Sequence, residues 1–216
     1  MSATATTLFD LCGGHPALDF VNSLDNRYRD DGPNEMLNSY ADVLRFLSET
    51  HLLEPRQARV LSKSVTEQAA ERVLHSVRAL REAGAAVLYS TVAGEPPPSA
   101  DLRMLEKYFL EANRHRELHW NRTDPPAGAS SRSAQAGLTW RWGRYESEPD
   151  LPVWILANAV SDILLTDQMA HVRTCAVHTC RWLFLDTSKN HSRRWCNMKV
   201  CGNRMKARRF QAKQES

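Results

Sequence analysis

Four cysteines near the C-terminal end constrain this chain more than any other feature. Cys175 and Cys180 form one close pair, and Cys196 and Cys201 form a second of the same C-x4-C spacing, with fifteen residues between the pairs. Thiolates are soft, charged ligands that hold zinc tetrahedrally at about 2.3 Å, and a closed site draws four of them from two tight turns. With no secretion signal ahead of them, cysteines so spaced point to metal rather than to disulfides, because a reducing compartment keeps thiols free. His178 lies inside the first pair and His191 in the intervening loop, and either could replace a sulfur; the symmetry of the two pairs favours four sulfurs. Such a shell leaves no position for an activated water, so one structural zinc is expected and no catalytic residue is assigned. The fifth cysteine, Cys12, reads as an ordinary small residue beside the turn formers Gly13 and Gly14.

A chain of 216 residues can build one substantial core plus a small appended module, and a four-thiolate site is a usual support for a module too small to have a core of its own. The expected division is a body over residues 1–170 and a zinc module over 171–216. The opening residues have neither a basic start nor a long apolar run, and no stretch approaches the roughly eighteen apolar residues of a membrane span. A soluble, cytoplasmic protein is expected. The net charge of +3 conceals an asymmetry: from His171 onward eleven Lys and Arg face only Asp186 and Glu215, giving +9, whereas the rest of the chain carries −6. A basic block on an acidic body is the electrostatic signature of a module that meets a polyanion.

Hydrophobic periodicity makes the body mainly helical. A turn at Gly13-Gly14 leads into a short helix bearing Leu18, Phe20, Val21 and Leu24, and a second helix, capped by Ser39, carries Tyr40, Val43, Leu44 and Leu47. Pro55 starts another short turn of helix. The strongest helix runs from Thr66 to Val92, with Val73, Leu74, Val77, Leu80, Val87 and Leu88 inward and Gly94 plus three prolines to stop it. A second long helix is expected from Asp101 to about Trp120, burying Leu102, Leu105, Tyr108 and Phe109. His115 and His119 would then sit four apart on its face, as polar surface rather than as metal ligands. Residues 123–137 read as a loop, and Leu138 to Tyr145 as a strand with Trp140 and Trp142 on one face. A third strong helix, from Pro152 through Leu164, leads into Cys175.

Between the cysteine pairs, Arg181 to Ser188 reads as a strand that returns through His191 to Trp195, with Trp182, Phe184 and Trp195 as the module's small core. Asn197 is a good cap for a helix from Met198 to about Gln211 that holds Cys201 in its first turn. Arg204 and Arg208 share a face of it, Lys206 and Arg209 flank them, and Met205 and Phe210 are candidates to pack inward. The whole resembles a treble-clef finger.

The residues around these ligands resemble the bacterial CGNR zinc-finger family: Cys180-Arg-Trp-Leu-Phe-Leu-Asp-Thr-Ser, Arg193-Arg-Trp-Cys196, and the intact tetrapeptide Cys201-Gly202-Asn203-Arg204. Gly14-His-Pro-Ala-Leu-Asp-Phe-Val-Asn-Ser23 is similar to the opening of the ABATE domain that precedes this finger, with serine at position 23 where threonine would be expected. The resemblance implies a stress-induced transcriptional regulator whose finger binds DNA. Arg193, Arg194, Arg204, Lys206, Arg208 and Arg209 are the expected nucleic-acid contacts. His15, Asp19 and Asn22 are candidates to line a ligand pocket in the body, against the commoner role of such residues as caps and braces. The body would sense a small-molecule signal or form a homodimer. RNA binding, or a protein-interaction finger on a ligand-binding helical domain, is the alternative, and an enzyme is not expected.

Overall fold

The computed structural model describes residues 9–122, 136–143 and 147–214. Most of the expected loop, at 123–135, and the end of the expected strand, at 144–145, lie outside these residues. The body is helical, as its periodicity implies. Helix α1 (Pro16–Asn22) starts on a proline, and His15 caps it by accepting from the Ala17 amide. Ala17, Leu18, Phe20 and Val21 are all fully buried, so this short helix is enclosed on nearly every side. Two short strands, β1 (Leu24–Asp25) and β2 (Asn34–Glu35), then pair antiparallel. Helix α2 (Tyr40–Glu49) has the expected Ser39 cap and apolar stripe, and α3 (Pro55–Ser64) follows its proline.

Helix α4 (Glu67–Ala93) is the long support of the body, capped by Thr66 and ended at Gly94. Its buried face holds Val73, Val77, Leu80, Val87 and Leu88, while Leu74 sits half-buried at the margin. Arg81, 2 % exposed, is also inside: its guanidinium binds both oxygens of Glu35 at 2.6 Å, donates to the Ser23 hydroxyl and bonds Glu82. That network pins β2 to α4. Burial alone would disfavour the charges, but Arg81 beside Glu35, and Arg27 with Arg81 beside Glu82, make both carboxyls ionise below the usual glutamate range.

Helix α5 (Ser99–Arg114) buries Leu105 and tucks Tyr108 and Phe109 against the core, but Leu102 stays exposed. The helix stops at Arg114, six residues short of the expected end. His115 caps it, stacks on Trp154 at 3.6 Å and bonds Glu111, and the chain turns into β3 (Arg116–Arg122). His119 is thus on a strand, and the expected pair on one helix face does not form. Strand β3 pairs in register with β4 (Ala136–Trp142) over seven residue pairs. Helix α6 (Leu151–Leu165), apolar on almost every face, runs through the middle against α1, α2, α4 and α5. A short 3-10 turn (Asp167–His171) leads from it to the cysteines. No helix among the described residues is long and apolar enough to cross a membrane.

Candidate metal centre

The first cysteine pair sits on a hairpin. Strand β5 (Val172–Thr174) pairs antiparallel with β6 (Leu183–Leu185), so the strand after Cys180 joins the segment before Cys175. The expected partner, His191 to Trp195, carries no strand; it returns as a loop, tied by the Ala176 amide on the Arg194 carbonyl and the Arg193 amide on the Asp186 carboxylate. Between the strands the chain closes a tight knuckle, with the Cys180 and Arg181 amides both on the Val177 carbonyl and the Cys175 amide on Trp182. Arg181 takes a left-handed conformation (φ 51°) there, and its carbonyl is fixed by the Tyr89 hydroxyl at 3.0 Å.

The second pair sits at a helix start. Asn197 caps as expected, its side chain accepting from the Lys199 amide. A single wide turn (Met198–Gly202) holds Cys201 and runs directly into α7 (Asn203–Gln214). A Cβ at Gly202 would lie 2.5 Å from the sulfur of the exposed Met198 side chain, which would have to swing aside.

The four ligand sulfurs lie within 4.8 Å of one another. Cys180 to Cys196 is 3.6 Å and Cys196 to Cys201 is 3.7 Å. A tetrahedron with metal–sulfur bonds of about 2.3 Å has edges of about 3.8 Å, so the spacing suits zinc. The donor set points the same way. Cys175 is driven toward the thiolate by accepting from Cys180 and Cys196, while Cys180 and Cys196 are pushed strongly up, Cys180 by its contact with Cys175 and Cys196 first by Cys12 and then by the other thiols. Burial raises Cys201 as well. Four negative sulfurs cannot coexist so closely on their own, and a divalent cation is the charge that lets them ionise together. Cys175, Cys180, Cys196 and Cys201 form a compact zinc-binding site. His178 and His191 are exposed, and the His191 ring stacks on His171. Phe184 is fully buried beside the sulfurs, with Trp182, Trp195 and Met205 packed around them, so the aromatics do form the small core. Cys12 packs there too, a placement its sequence neighbours do not signal.

The finger is joined to the body through α1. The Asn22 side chain donates to the Leu183 carbonyl at 2.9 Å and accepts from the Leu183 amide at 3.0 Å. Asp25 accepts from the Trp182 indole, and the Leu185 amide bonds the Gly13 carbonyl at 2.7 Å. The next residue, Gly14, is left-handed (φ 76°) and lies against Leu185. Arg193 completes the seam: its guanidinium lies over the Phe184 ring and donates to the carbonyls of Cys12, Trp195 and Cys196.

These bonds reassign part of the expected site. His15, Asp19 and Asn22, the candidates for a ligand pocket, each make a bond within the fold. His15 caps α1 and reaches Asp162, Asp19 accepts from the Gly13 amide at 2.7 Å, and Asn22 braces β6. Burial raises the Asp19 carboxyl to about 7, although the Gly13 bond works in the opposite direction. A hollow of about 260 Å³ opens instead between finger and body, where Cys180, Cys201 and Arg204 face Asp25 and Asn34. Arg193, expected on nucleic acid, serves as a clamp.

The other cations behave differently. Arg194, Arg204, Lys206 and Arg208 are exposed, and Arg209 lies in the same helix α7. Met205 turns back into the metal-centred core as expected, but Phe210 is 64 % exposed because α7 has by then passed beyond the module.

Two family models match the chain. The ABATE model, described as "Putative stress-induced transcription regulator", matches residues 14–167, and the CGNR zinc finger model matches residues 171–214. No curated protein matches it.

Proposed function

The chain belongs to the ABATE family and carries a CGNR zinc finger, and from that premise we propose that it is a DNA-binding transcriptional regulator, not an enzyme. One observation carries the reading: α7 leaves the zinc site with Arg204, Lys206 and Arg208 exposed along it, anchored at its root by Cys201 and Met205. Zinc, when bound, supplies the charge that fixes the four sulfurs and so the direction of the helix. The arginines and lysine contact phosphates, which sets affinity and position on the duplex, and an arginine that reaches the major groove reads guanine. Arg194 adds a further exposed cation beside Trp195.

Within the finger, the aromatics favour duplex DNA over single-stranded RNA. Base-stacking platforms need free ring faces, whereas Trp182 and Trp195 are half-buried in the module core and the Trp182 indole is bonded to Asp25. The test is binding of labelled duplex DNA and single-stranded RNA to the zinc-loaded chain, before and after chelation. Duplex binding that disappears with the metal and returns with added zinc is expected. Binding to neither polymer at low salt would defeat the reading, and tighter binding to RNA would replace it with the RNA alternative.

A further inference from the structure

The β3–β4 ribbon is a part of the body that its packing leaves unexplained. Paired residues of antiparallel strands point to the same side, so Leu118, Trp120, Leu138 and Trp140 share one face, and Glu117, His119, Thr139 and Arg141 the other. At its base the apolar face is covered: Trp142 packs against the core, and Arg116 lies over Trp140 and Trp142 with its guanidinium on Asn158. Farther out the cover ends. Leu118 is 55 % exposed, Trp120 63 %, Leu138 62 % and Trp140 56 %. A two-stranded ribbon with solvent on both faces is marginal in water, and a third layer or further strands are what stabilise one.

We propose that this face is a homodimer interface, on which a second copy of the chain lays its own β3–β4 ribbon. Size is the first argument. The four side chains expose on the order of 500 Å² of apolar surface, at the upper end of what a monomer leaves uncovered. Two such faces together remove about 1,000 Å², where specific association begins.

Shape is the second argument. Register sets Leu118 opposite Trp140 and Trp120 opposite Leu138, so the tryptophans occupy one diagonal of a square and the leucines the other. A two-fold axis in the plane of the face, along or across the strands, places every tryptophan against a leucine of the second copy. Large meets small at all four corners, so the patch is complementary to itself, as an isologous interface requires.

Charge is the third argument. None of the four side chains is charged, and Arg116, at the base of that face, is engaged by two indoles and Asn158. When the four uncharged side chains of one copy meet those of another, no charge is buried among them.

The experiment is sedimentation of the zinc-loaded full chain over a concentration series without nucleic acid, so its outcome is separate from the fate of the DNA-binding reading. The wild type is expected to be a dimer that dissociates on dilution. Trp120→Lys with Leu138→Lys should weaken self-association by more than about tenfold while leaving helical circular dichroism and zinc content unchanged, because both side chains already face solvent. His119→Lys, on the opposite face of the same ribbon, should dimerise as the wild type does. A wild type that is monomeric at every concentration overturns the proposal. So does a double variant that dimerises with the wild-type constant, or a His119→Lys variant that loses the dimer equally.

Discussion

Asn22 and Leu183 lie 161 positions apart in the chain, yet the amide of one meets both backbone groups of the other, as a neighbouring strand would. Through this pair the first helix of the body satisfies the free edge of β6, the strand that follows the first two ligands. The finger is therefore an extension of the body's core, and its aim depends on α1.

Asn22→Leu should expose that dependence. It leaves the N–H and C=O of Leu183 buried without partners, each worth about 1–3 kcal/mol, so a loss of about 2–4 kcal/mol of stability is expected. Zinc should still bind at one ion per chain, because no ligand is touched. Denaturant unfolding together with metal analysis checks both; unchanged stability would show that the seam contributes nothing.

Arg193 and Arg194 are adjacent in sequence and opposite in role. Arg193→Ala removes the donor to the Cys12, Trp195 and Cys196 carbonyls, so it should lower the unfolding temperature and speed zinc loss to a chelator. Arg194→Ala, at an exposed side chain, should change stability by less than about 0.5 kcal/mol. Thermal melts and chelator competition on the two variants decide it.

Much of this architecture was legible in the sequence, and the failures share a cause. Ser39, Thr66 and Asn197 cap the helices they were expected to cap, because capping is local chemistry between residues two or three apart. The four zinc ligands were legible for the same reason: spacing alone brings them into two turns. Leu118 and Trp120 continue the apolar pattern of α5, and nothing local says that these residues pair with Trp140 and Leu138 instead. The strand that pairs with β6 is hidden from local pattern because β5 lies on the far side of the ligand turn. The bond from Arg193 to Cys12 and the bracing role of Asn22 rest on contacts more than 150 positions away, which no neighbouring residue reports.

Asp19 should give the fold a pH dependence of its own. Its carboxyl ionises near 3.8 in an unfolded chain and near 7 in the fold, where burial disfavours the charge. Between those values the folded chain holds a proton that the unfolded chain has lost, so this residue makes stability fall as pH rises from 3.8 to about 7 and contributes no further slope above that. Asp19→Asn keeps the acceptor for the Gly13 amide and removes the titration. The stability of wild type relative to the variant should therefore decline across this window, and parallel pH profiles for the two would contradict the assignment.

If the zinc site aims an arginine-bearing helix at duplex DNA, the cations of α7 meet its phosphates. The most direct measurement is affinity against salt concentration for the zinc-loaded wild type and for Arg204→Ala with Arg208→Ala. Each lost phosphate contact should reduce the steepness of the log–log plot by about 0.9, so the double variant should bind more weakly with a slope shallower by about 1.8. An identical slope in the two proteins, with zinc retained in both, would show that α7 does not touch the DNA backbone and would contradict the account.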